Sequence, residues 1–266
     1  MKGTCWIAML FVCVSVCAQP KIAIIMDDVG YSLDRGMRAA RLPAAITLAV
    51  LPFTANAQAL SQTARDLGKE VILHQPLESL VERRPATGTL TLAMSPTSIQ
   101  RNFAQALEWL PNCIGVSNHA GSRFTQDPDS MNALMEVVRR RGLFYVDSRT
   151  TPDTVAQAVA KRWGVPFVRR DVFLDHQVDR EFIENAFAAA LRIAARRGHV
   201  VVIAHPHLMT IEFLEQVLPT LSNVSLVPVS ELVESTPEVS INDWSIRPAA
   251  LVPLRDPAFL RISRIR

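Results

Sequence analysis

"KIAIIMDDVG", Lys21 to Gly30, runs five apolar residues into two adjacent carboxylates, and a glycine follows after one more residue. The apolar run reads as a buried strand. Asp27 and Asp28 would then stand at its carboxyl end, where Gly30 releases the turn. Two neighbouring carboxylates repel each other unless a cation or a proton intervenes, so the pair makes more sense beside a metal ion. The other reading is a plain turn, in which Asp27 accepts backbone N–H groups while Asp28 faces solvent.

Outward from this stretch, short β-rich runs alternate with longer amphipathic ones. Strands are expected over 22–26, 46–50, 70–74, 114–117, 143–146, 166–168, 200–204 and 225–227. Helices are expected near 56–67, 96–110, 129–141, 152–162, 180–197 and 209–218. Strands that alternate with helices form a parallel α/β core, and runs this apolar need cover on both faces. Ser95-Pro96 and Thr151-Pro152 each read as a cap followed by a proline in the first helical position. "RRG" at 140–142 and again at 196–198 puts positive charge at a helix end and glycine just beyond it.

In a parallel sheet, ligands bind beyond the carboxyl ends of the strands. Those ends carry most of the chemistry here. "EVILHQP" delivers His74, and "IGVSNHAGSRFT" delivers Ser117, Asn118 and His119. "LFYVDSRT" delivers Asp147 and Arg149, "RRDVFLD" adds Arg170, Asp171 and Asp175, and "VVVIAHPH" adds His205 and His207. Asp28, His74 and His119 could supply one oxygen and two nitrogens to a divalent ion, with a position left open for water. Such an ion lowers the pKa of water and polarises a carbonyl. Asp27 would accept the water's proton, and His205 could donate one to a leaving amine.

The totals narrow the class. The chain has 266 residues, 49% of them apolar, enough for one sizeable core. A net charge of +3, 6% aromatic residues and no basic–aromatic stripe argue against a nucleic-acid partner. Residues 1–18 begin with Lys2, continue through an apolar run and end in "VCA", which reads as a signal peptide. That run is short for a membrane span, so no stable span is expected after cleavage. Cleavage would leave Cys113 as the sole cysteine, a buried inert thiol with no disulfide partner. Residues 19–234 read as one domain and 235–266 as a basic, proline-interrupted tail.

Six blocks, "IAIIMDDVG", "EVILHQPLE", "GVSNHAGSRFT", "YVDSRTT", "RDVFLD" and "VVIAHPHLMTIEFL", together resemble the divergent polysaccharide deacetylase family. This is an exported bacterial group related to the NodB-like deacetylases. The resemblance implies a distorted (β/α)7-type barrel and metal-assisted hydrolysis of an N-acetyl group on a sugar polymer, with a divalent metal, zinc foremost. It also implies a periplasmic address and a polysaccharide or oligosaccharide partner. In NodB-like enzymes the first Asp of the pair is the base and the second a metal ligand, which maps onto Asp27 and Asp28. The late-strand histidine is the general acid, which matches His205. The other two ligands depart from the pattern: those relatives use H-x-x-x-H on one segment, whereas His74 and His119 follow different strands. Asn118, Ser122, Arg123, Asp147, Arg149 and Asp171 are expected around the substrate or behind the site, with Arg149 able to hold Asp171. Two alternatives share this barrel. One is a non-catalytic glycan-binding or scaffold protein, and the other a metal-dependent carbohydrate O-acetyl esterase.

Overall fold

Nine parallel strands form a single sheet in the computed structural model, which describes residues 19–81 and 84–234. The signal peptide expected over 1–18 and the tail expected over 235–266 lie outside the described residues. The strands are β1 (Lys21–Val29), β2 (Thr47–Val50), β3 (Val71–Leu77), β4 (Gly115–Ala120), β5 (Phe144–Asp147), β6 (Phe167–Arg169), β7 (Val172–Phe173), β8 (His199–Ala204) and β9 (Ser225–Leu226). The helices are α1 (Leu33–Arg41), α2 (Ala57–Asp66), α3 (Pro96–Trp109), α4 (Pro128–Arg140), α5 (Ala156–Trp163), α6 (Arg180–Arg197) and α7 (Leu208–Val217). Among the described residues, none of these helices is long and apolar enough to cross a membrane.

The sheet runs β6-β5-β4-β3-β2-β1-β8-β7, and β9 pairs with β1 off this path. Its two outer strands are consecutive in the chain. The Arg170 amide donates to the Asp147 carbonyl at 2.9 Å, and the next amide, Asp171, donates to the Val201 carbonyl at 2.9 Å. Two successive residues thus bond to opposite ends of the sheet, which curls the parallel α/β core into the distorted barrel that the resemblance implies.

Strand alternation sorts the core into two layers. Ile22, Ile24, Met26, Leu48, Leu73, Val116 and Val202 join the helices in one large cluster. Ala23, Ile25, Ala49, Ile72, Val146, Val168, Val201 and Ile203 form a second, smaller one inside the curl. Continuing the interior parity toward the carboxyl ends reaches Asp27 on β1, His74 on β3, Ser117 and His119 on β4, Arg170 after β6 and His205 after β8. The interior is therefore apolar at the bottom and polar at the rim.

Two helix starts differ from expectation. α1 was not anticipated: it buries only Gly36, Ala39 and Ala40, too small a face to show as an apolar stripe. Its start is fixed by Ser32, whose hydroxyl accepts from the Arg35 amide. α5 is capped at Val155 rather than Thr151. The Thr151 hydroxyl instead accepts from Asp153 N at 3.2 Å, which makes a local turn of the Thr-Pro segment. By contrast, Ser95 caps α3 as its sequence suggests, and Gly142 and Gly198 follow α4 and α6 with φ of 67° and 81°.

Two consequences of this packing are testable. Gly30 has φ of 139°, and a Cβ there would lie 2.1 Å from the Thr54 hydroxyl oxygen. Gly30→Ala is expected to destabilise the protein by about 1–3 kcal/mol, read as a lower midpoint in urea. Burial raises the Cys113 thiol to a pKa of about 11, which lowers the thiolate fraction at any given pH. In protein spanning 19–266, alkylation of native Cys113 should stay slow at pH 8 and climb only toward pH 11. Denatured protein should label at pH 8 as an ordinary thiol does; equal rates in the two states would contradict the burial argument.

Candidate metal centre

β1 carries one residue more than its neighbour at the rim. Met26 pairs with Leu48 and Val29 with Val50, three steps against two. This bulge places Asp28 at φ 57°, in the left-handed region that Asp tolerates better than most residues. Neighbouring residues of a regular strand face opposite ways. The bulge lets Asp27 and Asp28 both reach the same rim, which answers why the strand ends in two carboxylates.

Asp28 is the hub of the rim. Its Oδ1 lies 2.7 Å from His119 Nδ1 and 3.1 Å from His74 Nε2. Its Oδ2 lies 3.9 Å from His205 Nε2. His74 and Ser117 are register partners on β3 and β4, and the Ser117 hydroxyl meets His74 Nδ1 at 2.7 Å. That contact occupies Nδ1 and leaves Nε2 facing the carboxylates, 3.6 Å from Asp27 Oδ2. The His74 and His119 rings meet edge to face, 5.2 Å between centroids.

The two carboxylates are driven in opposite directions. Burial raises the Asp27 pKa against the pull of the nearby histidines. Burial would raise Asp28 as well, but hydrogen bonds from His119 and His74 hold it well below the usual carboxylate range. Asp27 is 2% exposed, and its Oδ1 has no hydrogen-bond partner among the described residues. This is not the turn reading of the pair: Asp28 is bonded to two imidazoles, and Asp27 leaves one oxygen unused.

His205 is held from behind by Asp175. Asp175 Oδ1 stands 3.0 Å from His205 Nδ1, while Oδ2 accepts from the His205 amide and the Thr210 hydroxyl, each at 2.8 Å. Burial pulls the His205 pKa down. The Asp175 hydrogen bond and the charges of Asp27, Asp175 and Asp28 outweigh it and take the ring up to about 9. Nδ1 is thereby engaged and Nε2 faces the rim.

The donor set suits a divalent ion. Asp28, His74 and His119 each offer one ligand atom, and these atoms lie within 4.8 Å of one another. One carboxylate oxygen and two imidazole nitrogens match zinc's preferences. An orphaned buried oxygen beside them, on Asp27, is the kind of acceptor that water or substrate at an ion would satisfy.

The remaining expected residues have other attachments. Asn118 Oδ1 accepts from the Ser148 amide at 2.9 Å and the Tyr145 hydroxyl at 3.3 Å, joining the ends of β4 and β5. Ser122 accepts from the Leu80 amide, and Arg123 pairs with Glu78 at 2.9 Å, so both pin the loop after β3. Asp147 accepts from the Arg149 amide and the Thr154 hydroxyl and shapes the loop after β5. Arg149 itself has φ of 47° in that loop. Asp171 corrects the expectation. It lies immediately before β7 and pairs with Arg197 at 2.8 Å and the Val201 amide at 2.9 Å. Its carboxylate reaches the end of α6, so Arg197 and not Arg149 holds it.

Three strand-end residues had been given no role. Ser117 orients His74 and Asp175 orients His205. Arg170 donates to the carbonyls of Ser148 and Arg149 at 2.6 and 2.8 Å, and its charge acts on Asp27 and Asp147. Their signal was interior parity for Ser117 and Arg170, and for Asp175 its position just past the end of β7.

The model for divergent polysaccharide deacetylases matches residues 24–233. The uncharacterized protein YibQ of Escherichia coli (strain K12) is 33% identical over 234 residues, covering 88% of this chain and 72% of that one. The crystal structure of the uncharacterized protein ATU2773 from Agrobacterium tumefaciens C58 superposes with a TM-score of 0.77 at 25% identity, covering 82% of this chain and 91% of that one. The catalytic domain of a peptidoglycan N-acetylglucosamine deacetylase from Eubacterium rectale ATCC 33656 shares the fold, with a TM-score of 0.50 at 14% identity over 82% of this chain and 92% of that one. By the extent of the family match and the identity to YibQ, the chain belongs to the divergent polysaccharide deacetylase family.

Proposed function

We propose that the chain is a metal-dependent hydrolase that removes acetyl groups from N-acetylated sugars of an envelope polysaccharide. The observation that carries this reading is the grouping of Asp28, His74 and His119 donor atoms within 4.8 Å, with Asp27 3.6 Å from His74 and His205 3.9 Å from Asp28. Family membership supports the substrate class. Residues 1–18 would direct export, so that the chain meets its polymer in the periplasm.

Asp28, His74 and His119 would hold the ion, with zinc the best match to the donors. When bound, it supplies Lewis-acid polarisation of the acetyl carbonyl and a lower pKa for water. Asp27 takes the proton from the attacking water; its unpartnered Oδ1 is the atom free to do so. His205 gives the Nε2 proton to the amine nitrogen as the C–N bond breaks, and Asp175 keeps the ring in register at Nδ1. Acetate and a free amino sugar leave.

Protein spanning 19–266, purified without a histidine tag and loaded with zinc, is expected to release acetate from N-acetylglucosamine oligomers. Asp27→Asn and His205→Gln should each lower kcat by about 10²–10⁴-fold with the fold intact by circular dichroism. An O-acetyl ester should depend less on His205, because an alcohol leaves without the protonation an amine needs. Acetate release that persists unchanged in Asp28→Ala would defeat the metal assignment.

A further inference from the structure

We propose that Asp175, His205 and His207 form a second metal site, which takes zinc or a similar transition ion and weakens proton transfer by His205 when filled. The inference rests on the role given to His205 above. Each of the three residues offers one donor atom, and these atoms lie within 4.8 Å of one another. The set is again one carboxylate oxygen and two imidazole nitrogens, a combination that binds zinc and its neighbours in the transition series. It shares no residue with the group of Asp28, His74 and His119, so either site can be removed without deleting a ligand of the other.

The geometry needs little adjustment. With metal–ligand bonds of about 2.0–2.2 Å, adjacent ligands of a tetrahedral ion stand about 3.3 Å apart. His205 Nδ1 and Asp175 Oδ1 are 3.0 Å apart. Asp175 cannot swing away, because its Oδ2 accepts from the His205 amide and the Thr210 hydroxyl. His205 and His207 flank Pro206, whose ring limits the backbone between them. The His207 amide donates to the His205 carbonyl at 2.8 Å, a tight turn that leaves the two imidazoles 6.0 Å apart and inclined by 37°.

The site is also reachable. His205 and His207 line a cleft of about 130 Å³ together with Asp28 and Tyr31. Binding at Nδ1 takes the lone pair that faces Asp175, displaces the Nδ1 proton to solvent and leaves the proton on Nε2. A neutral ring so bound gives up its Nε2 proton less readily than the imidazolium does, although the Asp28 centre stays loaded. The second site would therefore make excess metal an inhibitor of the same enzyme that needs one equivalent of it.

The test is a zinc titration of metal-free protein spanning 19–266, followed by calorimetry and by metal analysis after desalting. Wild type should bind two equivalents, the second more weakly. His207→Ala and the milder His207→Gln should bind one, and Asp28→Ala should keep only the weaker event. Acetate release by wild type should rise with the first equivalent and fall several-fold with the second, while His207→Ala keeps its activity in excess zinc. A second equivalent retained by both His207 variants would overturn the site. So would a single equivalent in wild type that Asp28→Ala abolishes, and the Asp28 centre would then stand alone. Zinc lost from His207→Ala but untouched in Asp28→Ala would support the second site and count against the first.

Discussion

Charge at the mouth of an apolar barrel has to be matched at its own height. Ile25, Ile72, Val201 and Ile203 fill the interior directly below the rim, so nothing there can solvate a carboxylate from beneath. Asp28 stays ionised because two imidazoles reach it from β3 and β4. Asp27, one residue earlier and fully buried, lacks that degree of support and is pushed toward its protonated form. Adjacent residues in one stretch thus have opposite proton affinities. Environments that separate two carboxylates in this way are how one site obtains both a permanent anion and a base.

The bulge at Asp28 is what allows it. A regular strand would send Asp27 inward and Asp28 toward the helices. The extra residue and the left-handed backbone turn Asp28 back over the opening, at a strain of about 1–2 kcal/mol. Ala120 and Arg149 are also left-handed; Ala120 ends β4 and Arg149 follows β5 at the same rim. Three of the strands that frame the site therefore end in sharp backbone reversals just where their last side chains must stop pointing along the barrel wall.

Much of this was legible in the residues. Apolar runs that end in polar ones identified the strands, and a parallel sheet brings their carboxyl ends together, so Asp27, Asp28, His74, His119 and His205 could be named from order alone. Other features were hidden for physical reasons. The bulge is a matter of one residue's register and leaves no compositional mark. α1 packs by alanines and a glycine against α2, which periodicity of large apolar residues does not register. Asp171 follows Arg170 directly, and its pairing with Arg197, 26 residues further on at the end of α6, leaves no local mark. Asn118 and Asp147 follow strands as the ligands do, yet their bonds go to loop backbone and hold the rim's shape.

The most direct measurement is a crystal structure of zinc-soaked protein spanning 19–266, with anomalous data collected on both sides of the zinc edge. The account predicts a strong peak within bonding distance of Asp28, His74 and His119 together, with Asp27 left uncoordinated beside it. No peak there at saturating zinc, or a sole peak on Asp175, His205 and His207, would contradict a metal centre built on Asp28.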